Sequence, residues 1–291
     1  MNMKKVFFSS AAAVALFTVG LGVAGTANET YVSIPNEDVK NSVLSVLEAG
    51  DPEGNEIITQ EEVYNFSNYH YLPKRLLETS DVFDSFSIDV NEVKPKSSSL
   101  EGIEYISAES LQINAPLIDV TPLKEMQGVK SLSLEDQFAD LGYTHGIKDL
   151  NVLKGWTELK DLYYVSGNMN GIEDVKEKLP LLDISALDEI ASLESICIET
   201  AGSLPTIYLS EENNDYETTL PIILSHHFDG EEWSGYSNNP SFDQNSEMTK
   251  KSDRMKWENI EPGTEYLDIW IQIQPRGHYY IADLRIPIIW E

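Results

Sequence analysis

The sequence predicts an α/β solenoid: short turn-and-strand units stacked side by side, preceded by a helical segment and followed by a β-rich one. Three observations predict it. An apolar pattern spaced by three residues recurs three times and ends each time in an alternating pair. An amphipathic stretch lies near residues 39–47. Strict period-two alternation runs between residues 266 and 290.

The first 27 residues are read as an address rather than as fold. Lys4 and Lys5 precede an apolar run broken only by Ser, Thr and Gly, and Ala24-Gly25-Thr26-Ala27 offers small residues for cleavage. The alternative is an uncleaved anchor, since the run sits at the lower limit for spanning a bilayer. The run holds no Cys for a lipid anchor, and the sequence ends at Trp290-Glu291 without a tail anchor or basic stop. The expectation is a secreted, extracellular chain with no stable membrane insertion after cleavage. Its one cysteine, Cys197, excludes an intramolecular disulfide, so the core must hold the fold.

Residues 28–64 are expected to form a helical unit. Val39, Val43, Val46 and Leu47 share one helical face, with Asn36 and Glu37 placed to cap its start. Asp51-x-Glu53-x-Asn55, Ile58 and Glu62 match several positions of a calcium-binding loop, but Glu56 stands where the sharp turn needs Gly. The reading is therefore a cap over the open end of an apolar stack, with no metal and no cofactor assigned.

Residues 65–205 carry the repeats. Asp119 is followed by Val120, Leu123, Met126, Val129, Leu132 and Leu134. Asp149 is followed by Leu150, Leu153, Trp156, Leu159, Leu162 and Tyr164, and Asp183 by Ile184, Leu187, Ile190, Leu193, Ile196 and Ile198. At 41% apolar content, an all-apolar match has a chance probability on the order of 10⁻⁷ before allowing for choice of register. Amphipathic helices in an ordinary domain would explain the threefold spacing but not the repeated switch to alternation. Each unit is a turn-like helical segment leading into a short strand, and it needs neighbours to bury its apolar edge. Five strands are expected, centred near Phe86, Leu111, Leu132, Leu162 and Ile196, with residues 71–84 an inserted or degenerate turn.

Residues 206–291 change period. Leu267, Ile269, Ile271 and Ile273 alternate with Tyr266, Asp268, Trp270 and Gln272. Tyr280, Ala282, Leu284, Ile286, Ile288 and Trp290 form a second such face. Half-buried antiparallel strands and a small β-sandwich abutting the last repeat are expected, with Pro287 at an edge or strand end.

Leu117-Ile118-Asp119-Val120-Thr121-Pro122-Leu123, with the L-x-x-L-x-L after it, resembles the leucine-rich repeats of the bacterial internalin family. Leu100-Glu101-Gly102-Ile103-Glu104-Tyr105-Ile106 is similar to the opening of that family's first repeats. Residues 34–41 resemble its helical N-terminal cap. Met255-Lys256-Trp257 and the two alternating segments resemble its immunoglobulin-like strands. The resemblance implies a short leucine-rich-repeat horseshoe between a helical cap and an immunoglobulin-like β-sandwich, in a released, non-enzymatic binding protein. The departures are specific. Family repeats run to about 22 residues, whereas the Asp positions here are 30 and 34 apart, the extra residues falling at 135–146 and 165–182. The family's Asn after each strand, which bonds the open backbone of the turn, has Asn168 in one repeat but Gln137 and Pro116 elsewhere.

Charge narrows the partners. With 49 acidic and 20 basic residues the formal charge is −29, which disfavours nucleic acid and anionic membrane surfaces. Nucleotide and nucleophile-elbow motifs are absent, carboxylates are too numerous to single out a catalytic pair, and Cys197 has no His at motif spacing. His226-His227 with Asp229 could suggest a metal pair, but adjacent imidazoles on an extended chain point to opposite faces, so a surface or packing role is expected. The strand register instead predicts a binding surface: Gln112, Asn114, Ser131, Ser133, Glu135, Asp161, Tyr163, Val165, Ser195, Cys197 and Glu199 line the exposed, concave side, with Tyr163 as aromatic anchor. The expected partner is a protein, basic in charge, from a host or a cell surface. A second possibility is carbohydrate or cell-wall binding through Trp233, Tyr236, Trp257, Trp270 and Trp290.

Overall fold

The computed structural model describes residues 30–49, 58–78, 83–90, 99–138, 141, 143–167, 178–219, 221–230, 234–237 and 254–291. The expected leader and the residues 51, 53 and 55 of the calcium-like loop lie outside them. The N-terminal unit comprises β1 (Tyr31–Ser33), α1 (Glu37–Ala49), α2 (Gln60–Tyr69), β2 (Tyr71–Pro73) and α3 (Lys74–Leu77), with β1 antiparallel to β2. α1 buries Val39, Val43 and Leu47, while Val46 is only half-buried. Asn36 Oδ1 accepts from the backbone N–H groups of Asp38 and Val39 at 2.8 and 3.0 Å, and its amide donates to the Ser99 carbonyl, tying the helix start to the repeats. Glu62 closes a capping box with Thr59 and pairs with Arg75 at 2.5 Å. Residues 71–77 are not an inserted or degenerate turn: they form β2 and α3, because Leu72, Leu76 and Leu77 bury together with Phe66.

The repeats follow as β3 (Ser85–Asp89), β4 (Ser110–Asn114), β5 (Ser131–Asp136), β6 (Asp161–Ser166) and β7 (Ser195–Ser203). All five pair in parallel without offset. Phe86, Leu111, Leu132, Leu162 and Ile196 form one buried row, and Ile88, Ile113, Leu134, Tyr164 and Ile198 the next. The segments before the strands are 3₁₀ turns at Thr121–Glu125, Asn151–Leu153 and Ser185–Glu189, whose three-residue period is the spacing seen in the sequence. Every aligned apolar residue is buried except Val120, which is half-buried.

The recurrent Asp has one job three times. Asp119, Asp149 and Asp183 each accept, through Oδ1, from the backbone N–H two residues on, at 3.0, 2.9 and 3.0 Å. The side chain thereby starts the 3₁₀ turn. Asp183→Ala is expected to cost about 1 kcal/mol, the usual scale for a lost cap; urea unfolding checks it, and an unchanged midpoint would deny the Asp that role.

The post-strand bond differs from the family expectation. It is made one residue earlier than Gln137, and not by Pro116; Asn168 lies outside the described residues. Asp136 and Ser166, which end β5 and β6, stand in register with Thr200 within β7. Asp136 Oδ2 accepts from Leu117 N–H at 3.0 Å and Thr200 Oγ1 from Leu181 N–H at 2.8 Å. The backbone groups needing a partner pass directly beside Asp136 and Thr200, so a short side chain there reaches them.

The chain continues as β8 (Ile207–Leu209), β9 (Tyr216–Thr219), β10 (Ser234–Ser237), β11 (Arg254–Trp257), β12 (Tyr266–Ile273) and β13 (His278–Trp290). β13 joins the repeat sheet directly, running parallel to β7 from His278 opposite Ile196 to Arg285 opposite Ser203. β12 and β10 add antiparallel beyond it, giving the order β10-β12-β13-β7-β6-β5-β4-β3. β9 and β11 form a separate antiparallel pair, with Tyr216 stacked on the buried Trp257. The open edge of the last repeat strand is thus occupied by main-chain hydrogen bonds rather than by an abutting layer. Pro287 is not at an edge or strand end as expected: it lies within β13, opposite Tyr266 of β12. It is tolerated because the β7 ladder ends at Arg285 and the β8 ladder begins at Ile288, so its missing N–H removes no rung of either.

Candidate functional site

Because strand side chains alternate, the zero-offset pairing aligns one solvent-facing side across the whole ladder. Its central row is Ser87, Gln112, Ser133, Tyr163, Cys197 and Tyr279. The next is Asp89, Asn114, Glu135, Val165, Glu199 and Ile281, and toward the strand starts lie Ser110, Ser131, Asp161 and Ser195. The sequence-predicted residues are therefore neighbours on one surface. Gln112, Asp161 and Tyr163 are exposed, the tyrosine by 41%, while Asn114, Ser133, Glu135, Cys197 and Glu199 are half-buried. Val165 is the exception and is corrected here: it is buried, because its register neighbours are the longer Glu135 and Glu199, which leave a short valine at the bottom of the row.

Glu135 is held by neutral donors, accepting from Gln112, Ser133 and Gln137 at 3.3, 3.2 and 2.9 Å. Burial, followed by the nearby Glu199 and then Glu135 carboxylates, raises the Tyr163 phenol above its ordinary pKa. Burial and Glu199 raise Tyr279 in the same way. Cys197 is pushed up by burial and Glu199, the reverse of what an activated thiolate requires.

Tyr279 and Ile281 escaped the sequence reading. Period-two alternation placed them on one face of their own strand, but no local signal told that this strand pairs with β7. Beyond β13 the surface closes. Arg285 donates to Asp268 at 3.0 Å and lies 3.6 Å over the Tyr266 ring, all within the sheet face.

Three of the five histidines form a cluster that the sequence did not foresee. His226 and His227 lie in a 3₁₀ turn, not on extended chain, and their rings stack at 4.3 Å instead of pointing apart. His278 adds a ring 5.4 Å from His227. His226 Nδ1 sits 2.8 Å from Asp188 Oδ1. No cluster of three or more metal-ligating side chains occurs among the described residues. Burial, then the adjacent imidazoles, lowers His227, and burial lowers His278. The unfolded chain therefore takes up protons that the folded one refuses, so stability falls as pH drops below about 6.5, the ordinary imidazole pKa. Denaturation at pH 7.5 and 5.5 should show this loss, with a smaller difference in His227→Gln/His278→Gln; an equal difference would assign it to other groups.

A second polar cluster is hidden in the long insertions. Asp136 and His145 are buried, with Oδ2 and Nδ1 2.8 Å apart, and the buried Lys178 ammonium lies 3.8 Å from Asp136 Oδ1. Ser166 is one strand away, but neither its Oγ nor His145 Nε2 has a hydrogen-bond partner among the described residues, so they do not bond each other and no serine relay forms.

No family model and no curated protein matches the sequence. Among solved structures, the functional domain of InlJ from Listeria monocytogenes, which includes a cysteine ladder, matches with a TM-score of 0.31 at 11% identity. The match covers 69% of this chain and 56% of that one, so the chain spans little more than half of its length. A secreted internalin-like protein of the same organism, Lmo2445, matches at 0.29 and 12% identity over 88% and 96% of the two chains. A structure of CBM51-2 in complex with GlcNAc and INT domains from Clostridium perfringens ZmpB matches at 0.31 and 8% over 89% and 36%. These likenesses add nothing on partner or activity, and the repeat assignment rests on the ladder and its Asp-started turns. The chain is thus similar, among solved structures, to internalin and internalin-like proteins.

Proposed function

We propose that this is a secreted, non-enzymatic protein that binds a protein partner through the exposed face of its short leucine-rich-repeat sheet. The observation that carries the reading is the row in which Tyr163, 41% exposed, stands among polar and acidic residues that the pairing aligns across five repeat strands. An exposed aromatic ringed by polar groups is the usual form of a binding anchor. Secretion rests on the sequence of residues 1–27; among the described residues no helix is long and apolar enough to cross a membrane. In this reading residues 28–64 begin a helical cap, 65–205 carry the repeats and 206–291 supply an immunoglobulin-like segment. The paired β9 and β11, separate from the main sheet, are compatible with a second layer there. Trp257 is buried and so is not free to stack on a sugar, while the half-buried Trp290 is fixed at its edge, where Nε1 donates to the Thr264 carbonyl at 2.8 Å. Affinity capture from host and cell-surface extracts with the intact chain and with Tyr163→Ala tests the proposal. A specific protein retained by the first and lost by the second is expected, and identical capture by both would refute use of this face.

A further inference from the structure

The central row holds a feature finer than an acidic surface. Tyr163 and Tyr279 lie one strand to either side of Cys197, in direct register with it. Two strand steps place their Cα atoms about 10 Å apart. The small, half-buried Cys197 thus leaves a gap, or slot, in the row between two longer aromatic side chains. Glu199 follows Cys197 by two residues on the same face, which sets it in the adjoining row beside the slot, and its charge acts on both phenols and on the thiol. Among the described residues Glu199 has no hydrogen-bond or ion-pair partner. Lys130 and Lys160, beside the strand starts, are taken by Glu109 and Glu194 at 2.5 and 2.9 Å.

We propose that Tyr163, Cys197, Tyr279 and Glu199 form a seat for one arginine or lysine side chain of a basic protein segment lying along the sheet face. This rests on the binding reading above and names its chemistry. A cation is held within about 6 Å of an aromatic ring by the negative ring face, and a slot of this width admits a guanidinium or ammonium stem between two such rings. The carboxylate beside it supplies the opposite charge. The occupant is a protein segment rather than a free amine because Gln112, Ser133 and Glu135 continue the same two rows. Six strands give a polar track about 24 Å long, enough for an extended chain.

Fluorescence anisotropy with a labelled nona-arginine peptide tests it on the full chain. Tyr163→Leu and Tyr279→Leu leave the net charge unchanged and remove only the ring, so each should weaken binding roughly tenfold while Tyr163→Phe and Tyr279→Phe keep it. Glu199→Gln should weaken binding and flatten its salt dependence. Tyr208→Leu, at an exposed tyrosine on β8, should bind as the parent does. Leu variants that match the Phe variants, or Tyr208→Leu that loses as much, would overturn the seat. If the peptide ignores these changes while capture of a partner still depends on Tyr163, the seat fails and the binding face stands; if both are indifferent, both fail.

Discussion

Asp136→Ala is expected to destabilise the chain by about 3–5 kcal/mol, the scale of breaking a buried ion pair from one side. The carboxylate has no solvent exposure. It accepts from the Leu117 backbone at 3.0 Å, contacts His145 Nδ1 at 2.8 Å and faces the Lys178 ammonium at 3.8 Å. Removing it leaves a buried backbone donor unbonded and an imidazole without its acceptor. It also takes one carboxylate away from the buried Lys178 ammonium, which keeps its 2.7 Å bond to the backbone carbonyl of residue 136. Each group alone costs on the order of 1–3 kcal/mol when stranded. Urea unfolding of Asp136→Ala measures the loss. Adding Lys178→Met removes the buried cation that faces Asp136 and should recover part of it, whereas a double variant as unstable as the sum of both singles would show that the two charges do not interact.

The second large effect concerns the joint between the repeats and the last strands. A chain ending at residue 205 is expected to lose cooperative unfolding. β13 contributes the main-chain partner of β7 over eight residue pairs, and its Tyr280, Ala282, Leu284 and Ile286 are buried. The Tyr280 hydroxyl also donates to the Leu181 carbonyl at 2.9 Å, inside the last insertion. Without these residues β7 presents an unpaired edge and an uncovered apolar row, the condition that drives aggregation. Gly202→Val attacks the same joint by one side chain. A Cβ there would lie 2.5 Å from Pro180 N and 2.7 Å from the Lys178 carbonyl oxygen, both backbone atoms that cannot step aside cheaply. Thermal circular dichroism should show a broad transition for the truncated chain and a lowered midpoint for Gly202→Val. A truncated chain that melts sharply at the parent temperature would establish that the repeats fold alone.

Much of the candidate site was legible because it follows from period and register. The Asp at 119, 149 and 183 set each turn, the threefold apolar spacing set the 3₁₀ segments, and the alternation after them set which side of each strand is buried. Phe86, Leu111, Leu132, Leu162 and Ile196 therefore aligned as expected, and Tyr163 and Cys197 fell on the exposed face. The misses share a different cause. Asp136 and Thr200 bond backbone that lies 19 residues away, and His227 meets His278 from 51 positions further along the chain. A local pattern carries no information on such contacts.

The sequence by itself determined the repeated unit, its strands and the identity of most residues on the solvent face, since those depend on interactions within a few residues. Only the tertiary structure decided that β13 would close the edge of β7, that Tyr279 would stand across Cys197 from Tyr163, and that Asp136, His145 and Lys178 would bury their charges together. Strand pairing is made by main-chain groups common to every residue, so side-chain patterns fix which face a strand presents but not which strand will lie beside it.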